Sequence, residues 1–363
     1  IFEIKKEIPK FLKDNLDERD GLLYTKNGFS FMLTGEISLM YTDDKAREEG
    51  KNGRRVHLVV LAPSFDVVDK INNWLDELGR RDYDGRPIFN IACEDFVKKM
   101  AEIDDKIEVI PAHIWTPWFG LFGSKTGFDS LNDAFGSQVD KIHAIETGIS
   151  SDRKMNLKIS ELHNKTIMSN SDSHSFWPWR IGREATLFSS IDSYDDILKE
   201  IRENKIIGTI EVEPAYGKYH FDGHAGCDFS CPPIKTRALQ GRCPKCGKQL
   251  TLGVDYRVDE IASGNQAVED GKKEFKILPL HELLSLQYGV GMNSKKIWKI
   301  YWDVIEKFDN EFRILLEASQ SELAKIDDKL ARLVMKNRQG KIKVKPGYDG
   351  VYGKVMEEQE RLF

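Results

Sequence analysis

Acidic and imidazole side chains recur where short β-branched segments of the chain end. Glu36 closes the segment Phe-Met-Leu-Thr-Gly-Glu, His57 lies within Val-His-Leu-Val-Val-Leu, and His113 follows Val-Ile-Pro-Ala. Asp172 and His174 stand two residues apart after the segment Thr-Ile-Met-Ser-Asn-Ser. Carboxylate oxygens and neutral imidazoles are ligands that divalent metals take in proteins. The pattern therefore predicts a metal site formed by these five residues.

Each of these residues also has a simpler interpretation when it is taken alone. A single histidine after a strand is more often a hydrogen-bonded structural residue, and Glu36 could cap a helix or form a buried ion pair. His143 and His163 lie outside the pattern and are interpreted as structural. Five metal-type residues at corresponding places favour the metal site, where bound ions would lower the pKa of a bridging water and hold a phosphate for in-line attack.

Four of the five cysteines form a second candidate metal site. They occur as a Cys-x₃-Cys pair and a Cys-x₂-Cys pair, separated by eleven residues, at Cys227, Cys231, Cys243 and Cys246. This spacing is typical of a tetrahedral zinc site with four thiolates, which has no open position and stabilises a small folded unit. His220 and His224 are alternative ligands, although structural hydrogen bonding is the favoured interpretation. Cations near the cysteines form either a DNA-facing surface or a solvated face.

The segment that follows His113 combines aromatic rings, glycines and a cation. Its candidate substrate-binding residues are Trp115, Trp118, Phe119, Ser124 and Lys125. The segment is interpreted either as a hydrophobic plug or as a loop that holds a flipped base, with a stacking free energy of roughly 1–3 kcal/mol per base. Lys125 and Arg183 are candidates for contacts with phosphate oxygens.

Two lysine-containing segments in the last quarter of the chain are candidates for contacts with the DNA backbone. Leu286–Lys296 is predicted to be a helix, a glycine turn and a second helix, and it carries Lys295 and Lys296. Such a turn can present backbone amides to phosphate, but glycines also end helices without any ligand. Lys341 and Lys343 lie in an alternating segment, predicted to be a strand or arm, where cations would make DNA binding salt-dependent.

Short strands and amphipathic helices alternate over residues 1 to about 205. The predicted strands are Phe29–Thr34, Val56–Leu61, Lys106–Ile110, Lys141–Glu146 and Thr166–Ser169. A helix is predicted over Asp66–Arg80, where apolar residues recur at helical spacing. This alternation favours parallel strands joined by crossover helices, in an open sheet or a barrel whose functional residues meet at the carboxyl ends of the strands.

The rest of the chain divides into two further predicted domains. Residues 206–258 form the cysteine-containing zinc-binding module, which is rich in loops. Residues 259–363 form a helical DNA-binding domain, because apolar residues recur at helical spacing over Ile297–Phe308 and Leu323–Val334. The predicted organisation is therefore a domain at 1–205 for metal chemistry, followed by two smaller domains.

Composition excludes several classes of protein. The 363 residues have a formal net charge of −5, with 40% hydrophobic and 31% charged residues, which excludes wholesale disorder, a collagen-like repeat and a coiled-coil rod. Mild acidity excludes a globally basic nucleic-acid binder but leaves room for a local basic groove. The longest uncharged segment, Val109–Ser124, is too short to span a bilayer. Five cysteines are too few for a disulfide scaffold and indicate a reducing compartment.

Several motifs resemble the PHP (polymerase and histidinol phosphatase) superfamily, and within it the endonuclease Q family of DNA repair nucleases. They are Thr-Gly-Glu36-Ile-Ser, Val-His57-Leu-Val-Val-Leu-Ala-Pro, Pro-Ala-His113-Ile-Trp-Thr-Pro-Trp-Phe-Gly-Leu-Phe-Gly-Ser-Lys-Thr-Gly-Phe, Glu146-Thr-Gly-Ile-Ser-Ser-Asp and Ser-Asn-Ser-Asp172-Ser-His174-Ser. The resemblance extends through His220, the four cysteines and the glycine turn at Gly289, so it covers nearly the whole chain.

The resemblance implies an α/β fold with a distorted (β/α)7 PHP-type barrel and three bound divalent ions, which would be Zn²⁺, Mn²⁺ or Mg²⁺. It also implies incision of the phosphodiester on the 5′ side of deaminated bases (uracil, hypoxanthine, xanthine) and of abasic sites. By motif match, Glu36, Asp172 and His174 would be catalytic, and His57 and His113 would complete the ligand set, with Glu36 as a bridging carboxylate. Glu146 is expected to support the site without binding metal.

The sequence departs from the family pattern before Glu36. The family has a His-x-His strand and a further ligand on the next strand, and neither occurs there. The chain begins at Ile1 without an initiator methionine, so the expected barrel is incomplete at its N-terminus. Two alternatives are therefore kept: a PHP phosphoesterase for small phosphates, against which the zinc module and basic helices argue, and a non-catalytic nucleic-acid-binding module with an incomplete metal site.

The expected partner is double-stranded DNA that carries a deaminated or abasic lesion. A sliding clamp is a further candidate partner, although the sequence has no clear clamp-binding motif. No contact with a membrane is expected. The predicted location is the cytoplasm of a prokaryotic cell, in association with the nucleoid.

Overall fold

Short strands and helices make up a mixed α/β fold, which the computed structural model describes for residues 15–48, 50–51, 53–82 and 86–356. The strands are β1 (Asp17–Arg19), β2 (Leu22–Tyr24), β3 (Ser30–Phe31), β4 (Leu33–Tyr41), β5 (Arg54–Ala62), β6 (Ile88–Phe89), β7 (Glu108–Pro111), β8 (Ala144–Glu146), β9 (Thr166–Met168), β10 (Ala185–Leu187), β11 (Gly208–Glu211), β12 (Asp222–His224), β13 (Phe229–Cys231), β14 (Lys273–Lys276), β15 (Val344–Lys345) and β16 (Lys354–Val355). The α-helices are α1 (Asp44–Glu48), α2 (Phe65–Leu78), α3 (Cys93–Ile103), α4 (Leu131–Phe135), α5 (Arg153–Asn156), α6 (Pro178–Ile181), α7 (Tyr194–Arg202), α8 (Pro233–Ala238), α9 (Val254–Ala262), α10 (Leu280–Tyr288), α11 (Lys295–Phe308), α12 (Gln320–Ala324) and α13 (Asp328–Arg338).

The contacts of the chain divide it into two units. The first unit comprises Ile1–Glu146, Ser160–Ile167 and Phe188–Ile207, and the second comprises Thr147–Ile159, Met168–Leu187 and Gly208–Phe363. The chain therefore passes between the units several times. The division into domains at 1–205, 206–258 and 259–363 stays a prediction, and the first fourteen residues of the sequence lie outside the described ranges.

The main sheet of the first unit is mostly antiparallel. Its strand order is β6-β4-β5-β7, with β4 and β7 antiparallel to β5 and only β6 parallel to β4. A parallel crossover needs a dozen or more residues and usually a substantial helix, whereas the connection at 42–53 is at the lower limit of that length and its described part holds the five-residue α1. The prediction of a parallel barrel is therefore wrong for this sheet, and the described strands form no closed barrel.

The helix α2 shows how local sequence sets the elements that flank this sheet. The Ser64 hydroxyl accepts a hydrogen bond from the Val67 amide and caps the first turn. Val67, Ile71 and Leu75 recur every four residues and are buried, which gives the helix one apolar face. The helix ends at Gly79, whose amide donates a hydrogen bond to the Leu75 carbonyl, so the prediction over 66–80 is confirmed to within two residues.

The core of the second unit is built by its helices. The buried side chains of this core include Leu280, Leu283, Leu284, Ile297, Tyr301, Val304, Leu330 and Val334. The helices α10 and α11 are joined through Gly289, whose φ of 63° lies in the left-handed region that glycine adopts at helix ends. The predicted helix, glycine turn and helix are thus confirmed.

Element boundaries differ from prediction where the chain turns sharply. The predicted strand Phe29–Thr34 is split into β3 and the start of β4, and β4 continues to Tyr41. Residues 336–345, predicted as one strand or arm, begin in α13 and end in the two-residue β15. None of the helices in the described ranges is both long and apolar enough to cross a bilayer.

Candidate metal centres

The antiparallel register of β4 and β5 brings Glu36 and His57 together. Glu36 pairs with Val59 and Ser38 pairs with His57, so Glu36 and His57 are diagonal neighbours on one face of the sheet. The Glu36 Oε1 atom lies 3.1 Å from the His57 Nδ1 atom. Glu36 and His57, which were expected to meet at the mouth of a barrel, are thus brought together by cross-strand pairing.

His113 joins this pair from the end of β7. Pro111, the last residue of β7, pairs with Leu58, and the chain then turns through His113 with a φ of 32°. The His113 Nε2 atom lies 3.0 Å from His57 Nδ1 and 3.3 Å from Glu36 Oε1. One ligand atom from each of the three residues lies within 4.8 Å of the others, which is the spacing that a metal ion requires. We call Glu36, His57 and His113 the acidic centre.

Thr116 orients the His113 ring toward the acidic centre. Its hydroxyl lies 3.0 Å from the Trp118 carbonyl oxygen, to which it can donate, and 2.9 Å from His113 Nδ1. A hydroxyl that donates to a carbonyl accepts a proton from its other neighbour, so His113 Nδ1 carries the hydrogen. The Nε2 atom, which faces Glu36 and His57, would then present its lone pair to a metal, as in other metal-binding histidines whose second nitrogen is hydrogen-bonded.

Two further side chains of the first unit hold the acidic centre in place. The buried Glu146 carboxylate accepts a hydrogen bond of 2.9 Å from the His113 amide, which stabilises the left-handed turn there. The Phe119 ring stacks on His57, with ring centroids 4.3 Å apart. Glu146 therefore contacts the backbone beside a predicted ligand, and Phe119 covers the imidazole of another.

Arg86 supplies a positive charge to the same atoms. Its Nε atom lies 3.0 Å from Glu36 Oε2, and its Nη1 atom lies 2.8 Å from His57 Nδ1. Burial raises the pKa of Glu36, but the adjacent His113 and His57 imidazoles and the Arg86 charge outweigh it and hold that pKa well below its usual range. Burial lowers the pKa of His57, which favours the neutral imidazole that a metal needs.

The donor set of the acidic centre fits a divalent cation. The buried Glu36 Oε1 atom has no well-directed hydrogen bond in the structure, although both imidazoles lie close to it. One carboxylate and two imidazoles are borderline ligands suited to Zn²⁺ or Mn²⁺. Because the Arg86 guanidinium donates to the same acceptor atoms, a metal ion that used His57 Nδ1 would compete with it.

Asp172 and His174 belong to the second unit, in the loop between β9 and α6. Asp172 has a φ of 41°, and the His174 side chain is 70% exposed, with its Nδ1 atom 2.9 Å from the Asp172 carbonyl oxygen. The buried Arg183 donates from Nε and Nη2 to the Ser171 carbonyl, which anchors the loop that carries both residues. Arg183 is thus a loop anchor in this structure, and its contact with a phosphate oxygen stays a prediction.

The aromatic segment after His113 divides into buried and exposed rings. Trp115 and Phe122 are almost fully buried, with ring centroids 5.1 Å apart, whereas Trp118 is 38% exposed. A Cβ atom at Gly123 would lie 2.3 Å from the Thr116 carbonyl oxygen, so glycine is required for this tight fold. The plug interpretation holds for Trp115 and Phe122, and Trp118 is the tryptophan of this segment that a base could reach. Lys125 is half-buried.

The second candidate metal site uses a histidine where the sequence predicted a cysteine. The four side chains whose ligand atoms lie within 4.8 Å of one another are His224, Cys227, Cys243 and Cys246. Cys231 is outside this group: its Sγ atom lies 3.3 Å from the Thr236 hydroxyl, and it packs with Leu250 in a small buried cluster. Free cysteine often serves as a small apolar residue of this kind.

The geometry of this second site follows from a hairpin and from the turn at residues 243–247, which we call the knuckle. The hairpin of β12 and β13 pairs His224 with Phe229 and places Cys227 in the turn. In the knuckle, the Gly247 amide donates to the Cys243 carbonyl, and Gly247 adopts a φ of 74°. Hydrogen bonding with Cys246, with burial in addition, raises the pKa of the Cys227 thiol to about 11, as expected where thiols crowd together.

The structure brings some of the predicted DNA-contacting lysines into one groove. Lys341 and Lys343 line a groove of about 470 Å³ together with Lys336 and Gly289. Lys295 and Lys296 are exposed at the start of α11, and the Lys296 ammonium lies 4.8 Å from the centre of the Tyr288 ring. Three lysines beside a glycine turn form a surface that suits phosphate groups.

Thr116 and Arg86 were missed by sequence reasoning, and His224 was named only as an alternative ligand. Thr116 could have been found as a hydroxyl three residues after a predicted ligand. His224 lies three residues before a ligand cysteine, a spacing that occurs in mixed zinc sites. Arg86 carries no local signal, because only the pairing of β4 with β6 brings its segment beside Glu36.

Comparisons with known proteins show similar sequences. A family model described as the MJ0043 C-terminal domain matches residues 279–341. The protein MJ0043 of Methanocaldococcus jannaschii is 33% identical over 300 residues, which cover 78% of this chain and 36% of that protein. The protein YqxK of Bacillus subtilis is 29% identical over 309 residues, covering 83% of this chain and 73% of that protein. This chain therefore spans about a third of the length of MJ0043.

Two solved structures match almost the whole chain. One is the lesion-specific endonuclease PfuEndoQ from Pyrococcus furiosus, with a TM-score of 0.82, 28% identity, and coverage of 97% of this chain and 84% of that one. The other is an endonuclease Q complex with a 27-mer duplex that has an abasic lesion at the active site, with a TM-score of 0.83, 28% identity, and coverage of 98% and 86%. The resemblance to this family predicted from the motifs is confirmed.

Proposed function

We propose that this chain, which resembles the endonuclease Q family in fold and in sequence, is a metal-dependent DNA repair endonuclease. It incises the phosphodiester on the 5′ side of a deaminated base or an abasic site in duplex DNA. The observation that carries the proposal is the acidic centre, where a carboxylate and two oriented imidazoles converge within 4.8 Å. A sliding clamp as a further partner stays a prediction.

The residues of this chain have separate roles in the proposed reaction. Glu36, His57 and His113 would hold a divalent ion, and Asp172 and His174 are the predicted remaining ligands. When bound, such an ion supplies Lewis-acid stabilisation and lowers the pKa of a water molecule. The Thr116 hydroxyl favours the tautomer of His113 that leaves Nε2 for a metal, and Glu146 holds the His113 backbone, so the ligand atoms would be placed before substrate arrives.

Lesion recognition is assigned to residues beside the acidic centre. Trp118 is exposed in the segment that begins at His113, and its ring face suits an unpaired base. Lys125 follows in the same segment and suits a phosphate oxygen. The proposed zinc ion, held by His224, Cys227, Cys243 and Cys246, would have a structural role, because a closed four-ligand site leaves no position for substrate.

One observation favours a second candidate function. The Arg86 guanidinium already donates to Glu36 Oε2 and to His57, which offsets the charge of the carboxylate without a metal ion. That arrangement is compatible with a nucleic-acid-binding module that does not cleave. The two candidates differ in a single outcome, since only the first predicts lesion-dependent nicking.

Nicking of matched duplexes tests the proposal. The full-length protein is incubated with duplexes that are identical except for one uracil, one hypoxanthine or one abasic site, with Mn²⁺, Mg²⁺ or Zn²⁺ added. We expect a nick 5′ of the lesion, and a loss of at least about a hundredfold in rate in Glu36→Gln, because the carboxylate ligand is gone. Glu102→Gln, on the exposed side of α3, is the control and should keep the wild-type rate. Nicking that ignores the lesion, or that survives in Glu36→Gln, would contradict the proposal.

A further inference from the structure

Trp177, Trp298 and Trp302 form a continuous row of rings on the second unit. The ring centroids of Trp177 and Trp298 are 6.1 Å apart, and those of Trp298 and Trp302 are also 6.1 Å apart, with the latter pair stacked. Trp177 is 45% exposed and Trp302 is 56% exposed, and Phe176, which precedes Trp177 in the chain, is 95% exposed. We call these four residues the aromatic row. Contiguous exposed apolar surface of this kind marks an interaction site.

The aromatic row stands on a rigid base. Trp177 stacks on the buried Trp179, with ring centroids 5.0 Å apart and an interplanar angle of 8°. Trp298 packs edge-on against the buried His281, at 4.7 Å, and against Tyr301, at 5.9 Å. Because the inner rings are held by packing, the outer faces are already ordered and would lose little conformational entropy on binding a flat ligand.

Positive charge flanks the aromatic row on α11. Lys295 and Lys299 are exposed, and each lies three residues before a tryptophan of the row, Trp298 and Trp302 respectively, so they share one side of the helix with these rings. Lys307 is exposed on a different side of the same helix. Aromatic faces beside cations suit a strand with flat bases and anionic phosphates better than an apolar peptide.

We propose that the aromatic row stacks the unpaired bases of a DNA strand, while Lys295 and Lys299 contact its phosphates. The inference rests on the proposed function, because the strand is the one that opens beside a lesion. Phe176 lies two residues after His174, and Trp177 lies three residues after it. Three residues of chain span at most about 11 Å. A strand on the row would therefore pass close to a predicted metal ligand in the same unit.

Binding of single-stranded DNA tests this proposal separately from cleavage. The full chain is titrated with a labelled oligothymidine of about twelve nucleotides, without added metal, and fluorescence anisotropy is measured. We expect Trp177→Ala and Trp302→Ala each to weaken binding about tenfold, and Lys299→Ala to reduce its salt dependence. The controls are Phe29→Ala, an exposed aromatic of the first unit, and Lys307→Ala, both with unchanged affinity.

Each outcome decides the proposal. Wild-type affinity in both tryptophan variants overturns it, and so does a wild-type chain that fails to bind the oligothymidine. If sedimentation shows a self-associated chain that Trp302→Ala converts to monomer with DNA affinity unchanged, the row is an interface between copies and the proposal is wrong. Tryptophan-dependent binding without lesion-dependent nicking would support the row and contradict only the proposed function.

Discussion

His281 lies in the core of the second unit, and neither of its ring nitrogens has a hydrogen-bond partner among the described residues. Its ring is enclosed by Trp179 at 4.6 Å, Trp298 at 4.7 Å and Tyr301 at 4.0 Å between ring centroids. Burial lowers the pKa of this imidazole from 6.5 to about 4, because an imidazolium would have no counter-charge among these rings. The unfolded chain therefore binds a proton here at a higher pH than the folded chain does.

The pH dependence of stability should reflect His281. Its contribution is fully present above the unfolded pKa of 6.5 and is lost as the pH falls toward 4, by up to about 3 kcal/mol. In His281→Phe, we expect the free energy of unfolding to fall less between pH 7 and pH 4 than in the wild type. Urea unfolding at a series of pH values measures the difference. His174→Phe, at an exposed position, is the control, and parallel curves for His281→Phe and wild type would contradict the expectation.

At the scale of elements, the hairpin and knuckle of the second metal site separate two cysteines that look alike in the sequence. Cys227 lies in the hairpin turn beside His224 and the knuckle, whereas Cys231 is in β13 and bonds Thr236. The register of the hairpin decides this, because a residue on a strand points to one face of the sheet only. A Cys₄ pattern read from spacing alone cannot distinguish the two.

The zinc content of variants should distinguish Cys227 from Cys231. On a Glu36→Gln background, which removes a ligand of the acidic centre, we expect Cys231→Ser to keep one zinc ion per chain and Cys227→Ser to lose it. Metal analysis after gel filtration measures the content, and melting with and without a chelator reports its effect on stability. Loss of zinc from Cys231→Ser with retention in His224→Ala would show that the predicted four-cysteine set is the correct one.

The segment after β7 should respond to substitution according to burial. Trp115 is 1% exposed and packs on Phe122, so Trp115→Ala should destabilise the chain by about 3–5 kcal/mol through the cavity it leaves. Trp118→Ala removes an exposed ring and should change stability by less than about 0.5 kcal/mol while weakening the binding of lesion-containing DNA. Denaturant unfolding and duplex binding measure the two effects. A fully stable Trp115→Ala would show that the plug does not contribute to folding.

At the scale of the whole molecule, the net charge of −5 makes DNA binding depend on where the cations are placed. Lys336, Lys341 and Lys343 line one groove with Gly289, while the carboxylate of Glu36 lies with its imidazoles in the first unit. An acidic chain repels DNA at long range, so association needs a local cationic surface.

The salt dependence of duplex binding should report this groove. If Lys341 and Lys343 each neutralise one phosphate, the double variant Lys341→Ala/Lys343→Ala should lower the slope of log K against log salt by about 1.8. The control is Lys70→Ala/Lys98→Ala, two exposed lysines on α2 and α3 of the first unit, which should leave the slope unchanged. Equal slopes for the wild type and the Lys341/Lys343 variant would exclude the groove as a phosphate-binding surface.

Local patterns predicted the elements well where the interactions that form them are local. The helix α2 and the turn between α10 and α11 follow from apolar spacing, a serine cap and a glycine. The strand arrangement does not follow in this way, because alternation of strands and helices predicts parallel pairing, while the pairing of β4 with β5 depends on the short connection between them. Register and strand direction are long-range properties that no window of sequence contains.

The sequence by itself determined the chemistry that is present: a carboxylate and imidazoles of metal-binding type, a cysteine knuckle, and motifs that resemble one nuclease family. Only the tertiary structure decided which of these residues meet. It joined Glu36 to His57 across antiparallel strands, turned His113 Nε2 inward through Thr116, and placed His224 where Cys231 was expected. The physical reason is that residue type sets what a side chain can bind, whereas its neighbours are set by strand register and by packing over long separations in the chain.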